Sequence, residues 1–150
     1  LGSRTRDPKR VGALIETAHA ILAGLDPSEE MGFALSFGKL WGVHLNDQNG
    51  LKFDEDKAFG AVNLRRAFNQ VYILDKYDYG RNGEYVGLDV KVMRTQPREL
   101  SWKHLSNSRE TFLRLLDVAR AIDAAQWQAF VAARDYEGLD QFILTALMGK

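Results

Sequence analysis

The segment Leu40-Trp41-Gly42-Val43-His44-Leu45-Asn46 decides the fold, because its apolar residues run on without alternating and it closes on an imidazole and an amide. A short continuous apolar run of this kind reads as a strand covered on both faces, as in a parallel sheet. Val11 to Glu16 (VGALIE) and Tyr85 to Val90 (YVGLDV) read the same way, and each also ends in a polar, chemically capable residue. Helical stretches separate the three. The first runs from Ser28 to Gly38, opened by Pro27 and closed by its glycine. The second covers Ala61 to Tyr79, where Val62, Ala67, Val71 and Leu74 fall close to helical spacing and Arg65, Arg66, Gln70 and Lys76 are expected to face water. Strand, helix, strand, helix, strand is the βαβ pattern of an α/β fold. Right-handed crossovers then bring all three strand C-termini to one edge, where such folds keep their sites.

After Val90 the chain is helical. Ser108 to Ile122 carries a partial capping signal at Ser108, and Ala124 to Arg134 and Glu137 to Met148 follow as amphipathic helices. Three strands cannot close a barrel, and they leave two sheet edges bare. The chain therefore reads as part of something larger.

Composition narrows the chemistry. A chain of 150 residues, 45% hydrophobic and 27% charged, can bury a core. Twenty basic and twenty acidic residues cancel, which argues against a nucleic-acid partner. The absence of cysteine excludes disulfides, thiolate nucleophiles, zinc knuckles and iron–sulfur sites, so any site is built from oxygen and imidazole. No apolar stretch is long enough to span a bilayer, no membrane partner is expected, and the basic start lacks the apolar core of a signal peptide; the expected address is the cytoplasm.

Carboxylates and imidazoles converge on the three strand ends. Glu16 and His19 follow the first strand, and His44 and Asn46 lie in the second. Asp54 and Asp56 come in the loop after it, and Asp89 follows the third. Taken singly, a histidine in a strand reads as a core residue and Asp-Glu-Asp as a solvated loop. Together at one edge, four carboxylates would repel one another unless cations neutralised them. Hard oxygen ligands with one or two imidazoles suit magnesium, manganese or cobalt. Trp41, Phe53 and Phe59 lie near this mouth, with core packing as the expected role, and His104 is expected in a polar loop at the surface.

At these residues the chain resembles the xylose isomerase superfamily, metal-dependent aldose–ketose isomerases built on a TIM barrel. The block Ile15 to Gly24 is similar to the family's sixth-strand segment, His44-Leu45-Asn46 with Lys52 to Asp56 to its seventh, and Gly87 to Lys91 to its eighth. The resemblance implies a partial (β/α)8 barrel over residues 1–106, roughly strands 6 to 8, with the last barrel helix and a helical tail over 107–150. It implies two divalent ions, Mn2+, Mg2+ or Co2+, with Glu16, His44 and Asp89 on the sugar-binding ion and His19, Asp54 and Asp56 on the catalytic one, Glu16 being shared. Hydride moves between neighbouring sugar carbons in such enzymes. The catalytic residues implied are Asp56 and Lys91, with Asn46 orienting ligands. A small sugar is the implied substrate, and a homo-oligomer, or pairing with the rest of the barrel, the implied assembly.

Two departures bear on this. Xylose isomerases carry aspartate where this chain has His44, which is more similar to rhamnose isomerases, whereas those carry aspartate at the place of Glu16; no particular sugar is assigned. The fifth-strand Glu-x-Lys block falls on Gly2 and Arg4, so a fragment or shortened form is expected. An epimerase of the same barrel superfamily and a non-catalytic half-barrel assembly module stay open as alternatives.

Overall fold

Strands β1 (Ala13–Glu16), β2 (Leu40–Leu45) and β3 (Tyr85–Leu88) form one parallel sheet in the order β1-β2-β3. The computed structural model describes residues 2–149. Helices follow as α1 (Thr17–Leu22), α2 (Pro27–Ser36), α3 (Leu64–Lys76), α4 (Lys103–Ala121), α5 (Ala124–Ala133) and α6 (Tyr136–Leu147). Gly2–Arg4, the place of the expected fifth-strand block, is a 3-10 turn.

The helices cover one face of the sheet. Met31 of α2, Val43 and Leu45 of β2, Phe68 and Val71 of α3 and Leu115 of α4 make the core, and Ile143 of α6 is fully buried in it. Burying such side chains supplies most of the driving force for the fold. The tail is tied down further where Trp127 of α5 stacks on Tyr72 of α3, ring centroids 4.4 Å apart.

The other face is open. Leu14, Trp41 and Tyr85 are exposed, so the expectation of strands covered on both faces holds on the helical side alone. An apolar strand residue records that something apolar belongs against it, and the described residues supply no second layer. The register places Glu16, His44 and Gly87 in a single row across the three strand ends.

Helix boundaries differ from expectation for identifiable reasons. Asp26 caps α2 by accepting from Ser28 N and Glu29 N, with Pro27 at the first helical position. Asn63 caps α3 through Arg66 N, so residues 61 and 62 lie outside that helix and Val62 is exposed. Ser108 does not cap α4. That helix starts at Lys103, takes in His104, and uses the Ser108 hydroxyl internally, donating to His104 O at 2.6 Å and accepting from Phe59 N at 3.0 Å. Gln70, expected to face water, is buried against Thr17 of α1, a six-residue helix too short to show periodicity. Among the described residues, no helix is long and apolar enough to cross a membrane.

Candidate metal centre

The sheet edge gathers the expected residues from three strand ends and one loop. β1 ends at Glu16, and the turn of α1 that follows lifts His19 back over it, with His19 Nε2 3.3 Å from Glu16 Oε1. From β2, His44 Nδ1 lies 3.7 Å from Glu16 Oε2 and 3.4 Å from Asp89 Oδ2. Gly87 leaves room for this imidazole, since a Cβ there would stand 3.1 Å from His44 Cδ2. Asp89 is brought in by its amide, which donates to Leu45 O at 3.2 Å and continues the pairing of β3 with β2.

The loop after β2 delivers Asp54, whose Oδ2 lies 3.6 Å from His19 Nε2. This loop is pinned rather than flexible. Buried Asp47 accepts from Gln48 N, Val62 N and Asn63 N and exchanges backbone hydrogen bonds with Lys57. Buried Gln48 donates to Gly50 O and Phe53 O and accepts from Glu55 N. Neither residue stands out in the sequence, because Asn46-Asp47-Gln48-Asn49-Gly50 has the composition of an ordinary solvated loop.

Two groups result in which the ligand atoms all lie within 4.8 Å of one another: Glu16, His19 and Asp54, and Glu16, His44 and Asp89. Glu16 offers one oxygen to each. His44 Nδ1 and Asp54 Oδ1 are buried and have no hydrogen-bond partner. Buried polar atoms are normally satisfied, and two orphans within one cluster of carboxylates and imidazoles fit a divalent cation. Asp56 lies outside both groups. It is buried with its backbone in the left-handed region at φ 44°, accepts from Asn46 Nδ2 at 2.9 Å and is paired with the Lys91 ammonium.

Asn46 is the hub behind these ligands. It is fully buried, its Oδ1 accepts from Ala18 N at 2.7 Å, and its amide also reaches Glu16 Oε1 at 3.3 Å. Behind it the Thr17 hydroxyl donates to Gln70 Oε1 at 2.7 Å and approaches His44 O at 3.3 Å. Lys91 is fixed by its own amide on Asp56 O at 2.7 Å, and its Nζ also lies 3.6 Å from Asp54 Oδ2. Hydrogen bonding to Asp56, ahead of the charges of Asp56 and Asp54, holds the Lys91 ammonium above the usual lysine range.

Beside Asp54 and Lys91 opens a cleft of about 1180 Å³ whose wall includes Phe53, Arg94, Lys103 and His104. Phe53 is exposed there and Trp41 is exposed on the sheet, contrary to core packing, whereas Phe59 does enter the core. His104 lies in the first turn of α4 instead of a loop, with its Nδ1 buried and unpartnered.

No protein-family model matches the chain. It is similar to xylose isomerases of Thermus thermophilus, 35% identical over 114 residues, and of Streptomyces lividans, 34% identical over 133 residues. A third relative, the xylose isomerase of Thermus caldophilus, is 34% identical over 114 residues. The matches cover 76%, 87% and 76% of this chain and 29%, 33% and 29% of those proteins, so the chain spans about a third of their length. At 34 to 35% identity over 76 to 87% of its length to these relatives, the chain belongs to a xylose isomerase-like family.

Proposed function

We propose that this chain carries the metal-binding edge of a TIM-barrel aldose–ketose isomerase. It binds two divalent ions, manganese, magnesium or cobalt, and acts on a small sugar in concert with the rest of such a barrel or a second copy of the chain. The observation that carries this reading is Glu16 standing between two ligand groups, each completed by a histidine and an aspartate, with His44 Nδ1 and Asp54 Oδ1 left for a cation. Glu16, His44 and Asp89 hold the sugar-binding ion, while Glu16, His19 and Asp54 hold the catalytic one. Ions so held polarise the sugar carbonyl and lower the pKa of nearby water.

The chain's own groups do the rest. Asn46 fixes the rotamers of Glu16 and Asp56 through its amide, an orienting contact of the kind that sets ligand basicity. Asp56 and Lys91, joined by their ion pair, are the groups that hold and move the hydroxyl proton while hydride passes between neighbouring carbons. The His44 imidazole replaces a carboxylate of the xylose isomerases proper, which removes one negative charge from the sugar-binding group.

Isothermal titration with manganese tests the reading: two ions bound by the wild type and neither bound tightly by Glu16→Gln is the expected result. A wild-type chain that binds no manganese overturns it. A second reading, a non-catalytic half barrel that functions by assembly, is favoured by the exposed Leu14, Trp41 and Tyr85. A chain that binds no manganese leaves this reading standing and removes the first.

A further inference from the structure

Six side chains close a ring at the sheet edge. Glu16 Oε1 meets Asn46 Nδ2 and His19 Nε2, each at 3.3 Å. Asn46 meets Asp56 at 2.9 Å, Asp56 is paired with Lys91, and Lys91 Nζ lies 3.6 Å from Asp54 Oδ2. That same Asp54 oxygen returns to His19 Nε2 at 3.6 Å and completes the circuit. The Lys91 ammonium therefore stands on a carboxylate that belongs to the second ligand group.

We propose that Lys91 is a built-in monovalent occupant of the second ion's surroundings, so that the two groups fill in order. The Glu16–His44–Asp89 group fills first, and the Glu16–His19–Asp54 group fills only as the ammonium is displaced from Asp54. This rests on the metal reading proposed above.

Three observations carry it. Charge is the first: Glu16, Asp54, Asp56 and Asp89 set against Lys91 leave three negative charges. One divalent ion reduces these to one, and a second reverses the sign, whereas without the ammonium two ions would balance the cluster. Distance is the second. A cation bonded to either oxygen of Asp54 at about 2 Å would sit within roughly 8 Å of the ammonium, no farther than about one Debye length, so screening would leave part of the repulsion. The third is selectivity, because among the described residues no lysine or arginine pairs with Glu16 or Asp89, and the first group meets no such competitor. Displacement is mechanically open. The Lys91 backbone is held by its amide on Asp56 O, but its side chain is 61% exposed and can turn away from Asp54 while keeping its pair with Asp56.

The test is calorimetric titration of the 150-residue chain with manganese alone. The wild type is expected to show a tight and a weak class of site, and Asp54→Asn to lose only the weak one. Lys91→Gln should tighten the weak class by about tenfold or more, given a unit charge at this range, and leave the tight class within about twofold. Lys91→Arg keeps the charge and should behave as the wild type. Where Lys91→Gln unfolds because Asp56 is left unpaired, Lys91→Gln with Asp56→Asn keeps the net of three negative charges and removes only the ammonium beside Asp54, so it should tighten the weak class by less than Lys91→Gln, about twofold or more. An unchanged or weakened second class in the glutamine variants, or equal tightening in Lys91→Arg, overturns the proposal while the tight class still supports the metal reading. A chain that binds no manganese overturns both.

Discussion

Asn46 is the residue on which the candidate site turns, because one buried amide serves an α1 backbone N–H and two carboxylates at once. Asn46→Leu keeps the bulk and removes every one of these contacts. Leaving the Ala18 N–H and the buried Asp56 short of partners should cost about 2 to 4 kcal/mol, read as a lower urea midpoint with an unchanged denaturant slope. A loss within error of zero would show that water replaces the amide at no cost. Much of the site was legible at this scale. Glu16, His19, His44, Asp54 and Asp89 combine two metal-ligating chemistries at strand ends, a pattern the eye can find without coordinates. Gln70 was not, because helical spacing puts it on the water-facing side of α3 and only the unforeseen α1 brings Thr17 against it. Asp56 was half legible: its place in the loop is as expected, but its engagement by Asn46 and Lys91 depends on side chains distant in sequence.

Elements show the same division. β2 and the helices α2, α5 and α6 follow from apolar runs and caps, while α4 misleads because Ser108 has the appearance of a cap and serves as an internal tie to the Phe59 loop. The loop from β2 to α3 is the element whose rigidity matters most. Its pin is Asp47, buried and accepting three backbone N–H groups. Asp47→Ala should cost about 2 to 4 kcal/mol for the donors it abandons. The same variant should weaken manganese at the Asp54 group more than at the Asp89 group, since only the former rides on this loop; equal weakening would mean that the pin is merely structural. The turn between α3 and β3 offers a pH signature. Tyr79 is half buried and its hydroxyl is directed at Tyr85 O, 3.5 Å away; burial, with Glu84 and Tyr85 adding to it, pushes its phenol from 10.0 up to about 12. A raised pKa disfavours the phenolate in the folded chain, so the stability linked to this group is intact below pH 10 and is lost as pH rises from 10 towards 12. After solvent screening of a half-exposed ring the loss is about 1 kcal/mol. Alkaline urea titrations should show it in the wild type and not in Tyr79→Phe; parallel profiles for the two would locate the loss elsewhere.

For the molecule as a whole, the parallel sheet with its three strand ends at one edge was legible because parallel strands joined by helices admit few arrangements. The bare face was not, since an apolar strand says that it is covered without saying by what. Net charge misleads in a related way: the formal charge of zero averages a carboxylate cluster at one edge with lysines and arginines spread over the rest. That cluster should make folding and cation binding one equilibrium. Four carboxylates held at one edge repel in the folded chain and separate when it unfolds, so a divalent cation that binds only the folded form raises stability by mass action. At a free manganese concentration about a hundred times the dissociation constant the gain is about 2.7 kcal/mol, which for a chain of this length raises the midpoint of thermal unfolding by roughly 5 to 10 °C. Glu16 belongs to both ligand groups, so Glu16→Gln should abolish most of this rise, whereas Asp54→Asn and Asp89→Asn, which touch one group each, should each remove part of it. The metal-free forms order differently. Each of these substitutions removes one carboxylate from a repelling cluster, so each variant without manganese should be as stable as the wild type or more so. A Glu16→Gln chain stabilised by manganese as strongly as the wild type would place the cation elsewhere and break the link between this edge and the metal.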